Sequence, residues 1–441
     1  MANPSDAGQK PLKRVLAAIA SLLLFIALVY LASLPARATA AGTQGDIFSF
    51  LPLVFKAEEP TPTTSPSPPP PGVGEYVVIG WNDLGMHCYN RDFQDLAVLP
   101  PYNTLWAQVI RRGEEPQIVT SGVTVTYSFP ENTYSAGKSN FWTYAFQLFG
   151  VQLQDNIGLT GKGLAGEMDL SGDHYIAEGI PLTEYNDNDL NNRQPYQLAN
   201  IVVKDSSGKV LASNQVVAPV STEMRCDLCH YNGAFGISTG RVESNILQLH
   251  DQDHQEDYPA GHTGPLMDRR PILCAECHAS NALAAPGVAG IPNLSKVMHE
   301  AHAGNVPDSI QGCYQCHPGP STKCLRDVMS QEYGLDCTNC HGGMVAVSQN
   351  PNPWLHEPRC DNAGCHPDAA YALNQPLYRH SQGHGGIYCE GCHDSTHAIA
   401  PSREARDAIK FINLQGHAGT LEKCTVCHLT TPSSGGPHGE D

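Results

Sequence analysis

The sequence predicts a mixed protein of two unlike halves: an all-β, sandwich-like domain over residues 75–221, then residues 222–441, with short helices and little regular structure. Three observations carry that division. Residues 75–221 hold alternating apolar stretches separated by Gly, Pro and Asn turns, the signature of half-buried strands. Residues 222–441 are rich in Pro, Gly and His and too poor in aliphatic side chains to fill an ordinary core. Fifteen of the sixteen cysteines also lie in that second half, and only Cys88 precedes it.

The chain opens on a polar stretch in which Lys10, Lys13 and Arg14 precede an apolar run, Val15 to Leu34, broken only by Ser21, Tyr30 and Ser33. Ala36-Arg-Ala38 and Ala38-Thr-Ala40 offer small-residue cleavage sites, so residues 1–40 read as a secretory signal. The run is long enough to span a bilayer, and an uncut membrane anchor through residues 15–34 is the alternative. No cysteine lies near the cleavage region, which argues against a lipoprotein. Residues 41–74 form a linker whose Pro/Thr/Ser-rich part, 57–74, favours extended polyproline II.

In the β domain, Tyr76–Ile79 and Trp106–Ile110 are expected strands. Another is Val123–Phe129, where Val123, Val125, Tyr127 and Phe129 alternate with Thr124, Thr126 and Ser128. Ile201–Lys204 and Val210–Val217 flank Asp205-Ser-Ser-Gly208, a hairpin turn. Phe141–Phe149 is the exception, with Phe141, Ala145, Leu148 and Phe149 on one helical face. In the second half, short helices are expected near Ile246 and over Leu294–His302, Cys324–Gln331 and Arg403–Phe411.

The cysteines of the second half fall into a repeated motif, Cys-x-x-Cys-His, which occurs six times. The first three copies are Cys226, Cys229 and His230; Cys274, Cys277 and His278; and Cys313, Cys316 and His317. The other three are Cys337, Cys340 and His341; Cys389, Cys392 and His393; and Cys424, Cys427 and His428. A stretched version is Cys360-Asp-Asn-Ala-Gly-Cys365-His366. Zinc ribbons pair Cys-x-x-Cys units without needing a following histidine, and disulfides do not explain the histidines either. Two thiols adding across the vinyl groups of a haem, with the adjacent histidine as proximal iron ligand, explain all three residues at once. The expectation is seven haem c groups, or six if Cys360 and Cys365 form a disulfide instead. Packed porphyrins would then supply the core that the aliphatic side chains lack, and this half is expected not to fold without them. Cys88 and Cys324 lie outside the motifs. A disulfide between them, or two inert buried thiols, is the plain reading; an iron ligand or reactive thiol is the sharper one.

Each iron needs a second axial group or an open position. Thirteen histidines remain beyond the seven proximal ones. His250, His299, His302, His384, His397, His417 and His438 are the candidate distal ligands; His299 and His302 stand three apart on one expected helix and could serve two neighbouring irons. His384 and His417 sit among small residues that let backbone approach a haem face, and His397, four residues after His393, would serve an adjacent iron. Asp251, next to His250, is a candidate to orient it. His254 ranks next, and His262, His356 and His380 rank lower. His87 could reach the first haem, or be an ordinary histidine of the β domain. Two imidazoles per iron favour low-spin iron at low potential.

Without residues 1–38 the chain keeps 22 basic against 43 acidic residues, a formal charge of −21. It has no basic stripe and is not expected to bind nucleic acid.

Outside the motifs, the runs Trp81-Asn-Asp-Leu-Gly-Met-His-Cys88, Gly122-Val-Thr-Val-Thr-Tyr-Ser-Phe-Pro130 and Cys313-Tyr-Gln-Cys-His-Pro-Gly-Pro320 extend a resemblance from Glu75 to the C-terminus. In these segments the chain resembles exported multihaem c-type cytochromes of metal-reducing and related anaerobic bacteria, in a group with an N-terminal β module. In similar proteins the fifth site is an ordinary Cys-x-x-Cys-His; here it has two added residues. The resemblance implies a multihaem cytochrome c domain and electron transfer outside the cytoplasm, in the periplasm or at the cell surface. Redox partner proteins or a terminal electron acceptor are the implied partners. Two other functions compete with conduction. One is a reductase of a small nitrogen or sulfur compound with one open haem, which lacks the Cys-x-x-Cys-Lys signature of nitrite-reductase-like sites. The other is a homo-oligomer or filament whose end haems stack between subunits.

Overall fold

The computed structural model describes residues 74–433 and 436–438, and all of them fall in one compact unit. The signal, anchor and most of the linker assigned to residues 1–74 lie outside the described residues. The fold combines substantial β-sheet with short helices.

Two five-stranded sheets lie face to face. The first has the order β1 (Tyr76–Asn82), β4 (Asn103–Arg111), β9 (His174–Ile180), β8 (Asp169–Ser171), with β5 (Gln117–Ile118) also on β4. The second runs β2 (His87–Cys88), β11 (Val210–Ser221), β10 (Tyr196–Asp205), β6 (Val123–Ser128), β7 (Ala165–Glu167). Side chains alternate in direction along a strand. Val78, Leu105, Ala107, Val109 and Ala177 of the first sheet therefore meet Val125, Tyr127, Ile201, Val203 and Val216 of the second in one buried core. The approach is close: a side chain at Gly80 would collide with Ile201 and Val216. Helix Phe141–Phe149 closes the core, burying Phe141, Ala145 and Leu148 and ending on Gly150 in the left-handed region at φ 68°. The β10–β11 turn forms because the Asp205 carboxylate accepts from Ser207 and Lys209 amides while Gly208 takes φ 83°.

The first sheet is covered on its other face too. Ile79, Trp81 and Ile110 point away from the central core and pack with Tyr388, Ile387, Leu414, Leu421 and Cys427. Residues 222–438 thus lie partly against the sheet. A two-residue strand, β12 (Ile272–Leu273), also pairs parallel with β3 (Leu96–Ala97).

Four short helices fall near the expected places with shifted bounds. Val242–His254 and Leu294–His302 match their expected regions. The helix expected from Cys324 starts only at Val328, because the Asp327 side chain caps it by accepting from the Ser330 amide. The helix expected from Arg403 instead spans Ile409–Gln415 and stops at Gly416, φ 92°. No helix among the described residues is long and apolar enough to cross a membrane.

Candidate functional site: seven Cys–His turns

The seven motifs, numbered 1 to 7 in chain order, are each built as a compact turn. At sites 1, 2, 3 and 7 the histidine N–H donates to the carbonyl of the first cysteine at 2.9–3.1 Å. In site 1 the single turn Cys226–Leu228 ends on Cys229, whose amide donates to the Cys226 carbonyl at 3.2 Å. Sites 4 and 6 are the helices Cys337–His341 and Cys389–His393. The stretched site 5 keeps the same closure, His366 N–H to Cys360 carbonyl at 3.1 Å, and loops its additional residues outward.

All fourteen motif cysteines are free thiols, so both sulfurs of every turn are available to one group. Cys226, Cys340, Cys365 and Cys424 are exposed. Cys229, Cys274, Cys277, Cys313, Cys316, Cys337, Cys360, Cys389, Cys392 and Cys427 are half-buried.

Six of the seven proximal histidines face another imidazole. His230 lies 6.3 Å from His302 between ring centres, His278 6.3 Å from His250, and His317 6.0 Å from His299. His341 lies 6.2 Å from His397, His428 6.0 Å from His384, and His393 5.7 Å from His438. Two imidazoles coordinating one metal from opposite sides need two nitrogen–metal bonds of about 2 Å each plus the depth of each ring, roughly 6.3 Å in all. Direct ring stacking would bring the centres closer.

The rings are also oriented for ligation. His278 Nδ1 donates to the Pro292 carbonyl at 2.9 Å, His299 to Ser295 at 2.7 Å and His302 to Met298 at 2.6 Å. His428 uses the Glu114 carbonyl at 3.0 Å and His438 that of Ala370 at 3.3 Å. A carbonyl only accepts, so each Nδ1 carries the proton and Nε2 keeps the lone pair a metal requires. Asp251 does not touch His250. It accepts a hydrogen bond from the Tyr258 hydroxyl, 2.6 Å away, and that hydroxyl lies 3.2 Å from His250 Nδ1.

Large apolar side chains are exposed beside these turns. Leu228, Tyr231 and Phe235 surround His230, Met298 shares a helix with His299 and His302, and Leu429 follows His428. Burial presses the His317 pKa down to about 4, and neighbouring His299 and His341 add to the shift. A flat apolar group with a central metal fits both observations, and the free thiols fit its covalent attachment.

The sites adjoin one another in a definite order. Helix Val242–His254, which brings His250 to site 2, packs on the site 1 turn. Helix Leu294–His302 serves sites 1 and 3 through His302 and His299. Burial raises the pKa of Cys316, and nearby Cys229 adds to it, which also joins sites 1 and 3. The Cys313 and Cys337 thiols of sites 3 and 4 lie side by side. Burial raises the pKa of Cys340, and nearby Cys365 adds to it, joining sites 4 and 5. Burial pushes Cys389 up to about 11 with Cys360 beside it, joining 5 and 6. The Leu421 amide donates to the Cys392 carbonyl at 2.9 Å, and Cys427 lies close to Cys392, joining 6 and 7. The path is 2–1–3–4–5–6–7.

The sheets hold the far end of this path, through residues that carry no motif. Arg112 donates to the carbonyls of Thr425, Val426 and His428, and the Gly113 amide to that of Cys427. Gln108 binds the Gly386 carbonyl and the Tyr388 amide just before site 6. Nothing local in the sequence marks Arg112 or Gln108 for this, because their partners lie some 280–310 residues away.

One expectation changes, two open readings narrow to their plainer alternatives, and one is qualified. His417 does not face a proximal histidine; its ring is exposed, bonded to the Ala418 carbonyl and 3.7 Å from Glu422. His87 is buried in the β domain, where its two nitrogens are taken up by the Tyr102 carbonyl and the Asp83 carboxylate. Cys88 and Cys324 are neighbours in a small apolar cluster, but both are free thiols rather than a disulfide. Burial pushes the Cys88 thiol far up and Cys324 up to about 11, which makes both poor nucleophiles at neutral pH. Cys324 Sγ lies 3.9 Å from His397 Nδ1, so it adjoins a candidate ligand. Cys229 is the qualified case. The spacing assigns it with Cys226 to a single group, but its thiol also neighbours Cys316 of site 3. The reason is that the histidines of both sites meet the one helix Leu294–His302, which draws the two turns together.

Among the described residues no cluster of three or more His, Cys, Asp or Glu has the form of a bare-metal site. No protein-family model, no curated protein and no solved structure matches the chain.

Proposed function

We propose that the chain is a heptahaem c-type cytochrome that conducts electrons in the periplasm or at the cell surface, with a β sandwich-like domain followed by a multihaem domain. The carrying observation is the set of six facing imidazole pairs at 5.7–6.3 Å, each containing one motif histidine. Haem iron supplies reversible one-electron chemistry when bound, at a potential set by its axial ligands and surroundings.

The chain's own residues would do the rest. The fourteen motif thiols fix ring positions, and the paired imidazoles hold both faces, so little rearranges between oxidation states. At His278, His299 and His302 the Nδ1–H···O=C bond would leave Nε2 as the ligating nitrogen. The adjoining order 2–1–3–4–5–6–7 supports conduction along one row rather than reaction at one centre. A redox protein or terminal acceptor at an end of that row is the proposed partner. Export follows from where such haems are attached.

The test is the intact mass of the exported protein together with its ferric spectrum. Seven haem masses and a dominantly low-spin spectrum are expected. A mass without haem, or a protein that binds zinc at the motifs, refutes the reading.

A further inference from the structure

Site 5 differs from the other six. Its proximal candidate, His366, has no imidazole facing it at the 5.7–6.3 Å spacing found at every other site, although all twenty histidines lie among the described residues. The ring nearest to His366 is Tyr371, 5.7 Å away and nearly edge-on at 68°. Tyr371 in turn stands 5.0 Å from His438, which faces His393 of site 6.

The site is otherwise complete. Its turn is closed by the same bond as the others, its two sulfurs are free, and it lies between sites 4 and 6. It is also the most open of the seven, with every residue from Asn362 to Ala370 exposed. The extension is pinned at its start: the Arg359 guanidinium holds the Asp361 carboxylate at 2.7–2.8 Å and also reaches the Leu373 carbonyl. The histidine nearest to His366 in the sequence, His356, is exposed, with Nδ1 held by the Asn350 side chain at 2.7 Å.

We infer that site 5 carries the one haem whose sixth position is not filled by a side chain, and that it binds small diatomic π-acceptors of the carbon monoxide and nitric oxide class. This rests on the haem reading proposed above. Binding is coordination alone: the lone pair of the ligand fills the sixth position of ferrous iron, and no electron or proton leaves the site. Because site 5 is in the middle of the row, a ligand there would raise its potential and interrupt passage between sites 4 and 6. A small gas would thereby act on a conductor whose other irons are saturated.

The probe is carbon monoxide, titrated into the dithionite-reduced exported protein after its haems have been counted by mass. The expected result is seven haems and a Soret change amounting to about one haem in seven. A Cys360→Ala/Cys365→Ala variant should carry six haems and lose the change, and His356→Ala should leave it as it is. Seven haems with no response to carbon monoxide overturn the inference and leave the conduction reading standing. So does a new carbon monoxide-binding haem in His356→Ala, which would make His356 the ligand. Six haems with a Cys360–Cys365 disulfide overturn it as well. A protein without haem instead overturns the underlying function.

Discussion

Between Val78 and Val220 the chain buries thirty-three apolar side chains; from Ile237 to Val426, a longer stretch, it buries thirteen. The first region stands on its own sheet-on-sheet core, where a buried Val, Leu, Ile or Phe contributes roughly 1.5–3 kcal/mol. The second has a much thinner apolar core and is fastened in part by buried ion pairs. Arg326 and Asp407, both essentially inaccessible, meet at 2.6 and 3.0 Å, and Lys410 meets Asp394 at 3.0 Å. Buried ion pairs return little net stability beyond their desolvation cost, but they fix geometry. One region is thus a platform with its own apolar core, and the other is a set of short helices and loops clamped in place by charge pairs.

The strongest test of that contrast is to make the chain where haem is not attached. Residues 222–438 should then be digested while the sheets, from about Glu75 to Ser221, resist; mass spectrometry of the limit digest reads the boundary. Equal resistance of both regions would break the comparison.

Single substitutions sharpen it. Phe141→Ala, in the sheet core, should cost about 3–5 kcal/mol through loss of transfer energy and the cavity left behind. Arg326→Ala should cost about as much, by stranding the Asp407 charge, while Arg326→Met with Asp407→Leu should recover most of it. Denaturant midpoints of the three variants check this. Recovery by the apolar pair marks the ion pair as a positioning device, and no recovery marks it as a true stabiliser.

Smaller in stability but specific in readout, and resting on the proposed heptahaem reading, His302→Ala should convert one haem in seven from low to high spin in the ferric electron paramagnetic resonance spectrum. His417→Ala should convert none. A change in the second variant would return His417 to the ligand set.

The smallest effect concerns the seam between the regions. Glu223 ends the β region, and its carboxylate accepts from the Gly319, Ser321 and Thr322 amides and the Thr322 hydroxyl. Burial pushes its pKa up, but these bonds outweigh burial and leave it below the ordinary value of 4.5. The folded carboxyl therefore binds its proton more weakly than the unfolded one. Its stabilisation is complete above the ordinary carboxylate range and is lost as pH falls through the lowered value. Glu223→Gln should cost about 1–3 kcal/mol at pH 7. The gap from the parent should close in acid, as followed by melting temperature against pH.

Local chemistry was legible in the sequence, and distant pairing was not. The seven turns could be read because their cysteines and histidine are adjacent in the chain, and the hairpin at Asp205–Gly208 because its turn chemistry is local. Which histidine faces which could only be narrowed, since His302 reaches His230 from 72 positions away. The approach of Cys229 to Cys316 was hidden for the same reason, since it follows from a helix that lies between them in the chain. His417 shared the small-residue setting of His384, yet Glu422 and its own loop keep it at the surface. The platform's hold on sites 6 and 7 was invisible because carbonyls do the binding, and every residue has one.

The helix Leu294–His302 has a consequence for how such a chain can change over time. Its His299 and His302 stand three positions apart, a rise of about 4.5 Å and close to one turn. A single inserted residue between them would swing one ring by about 100° relative to the other, so that the two could no longer meet His317 and His230 together. A loop has no such gearing: between Cys360 and Cys365 two more residues than the usual spacing are accommodated by bulging outward. Length variation among descendants of this chain should therefore collect in the attachment loops and spare that one helical turn.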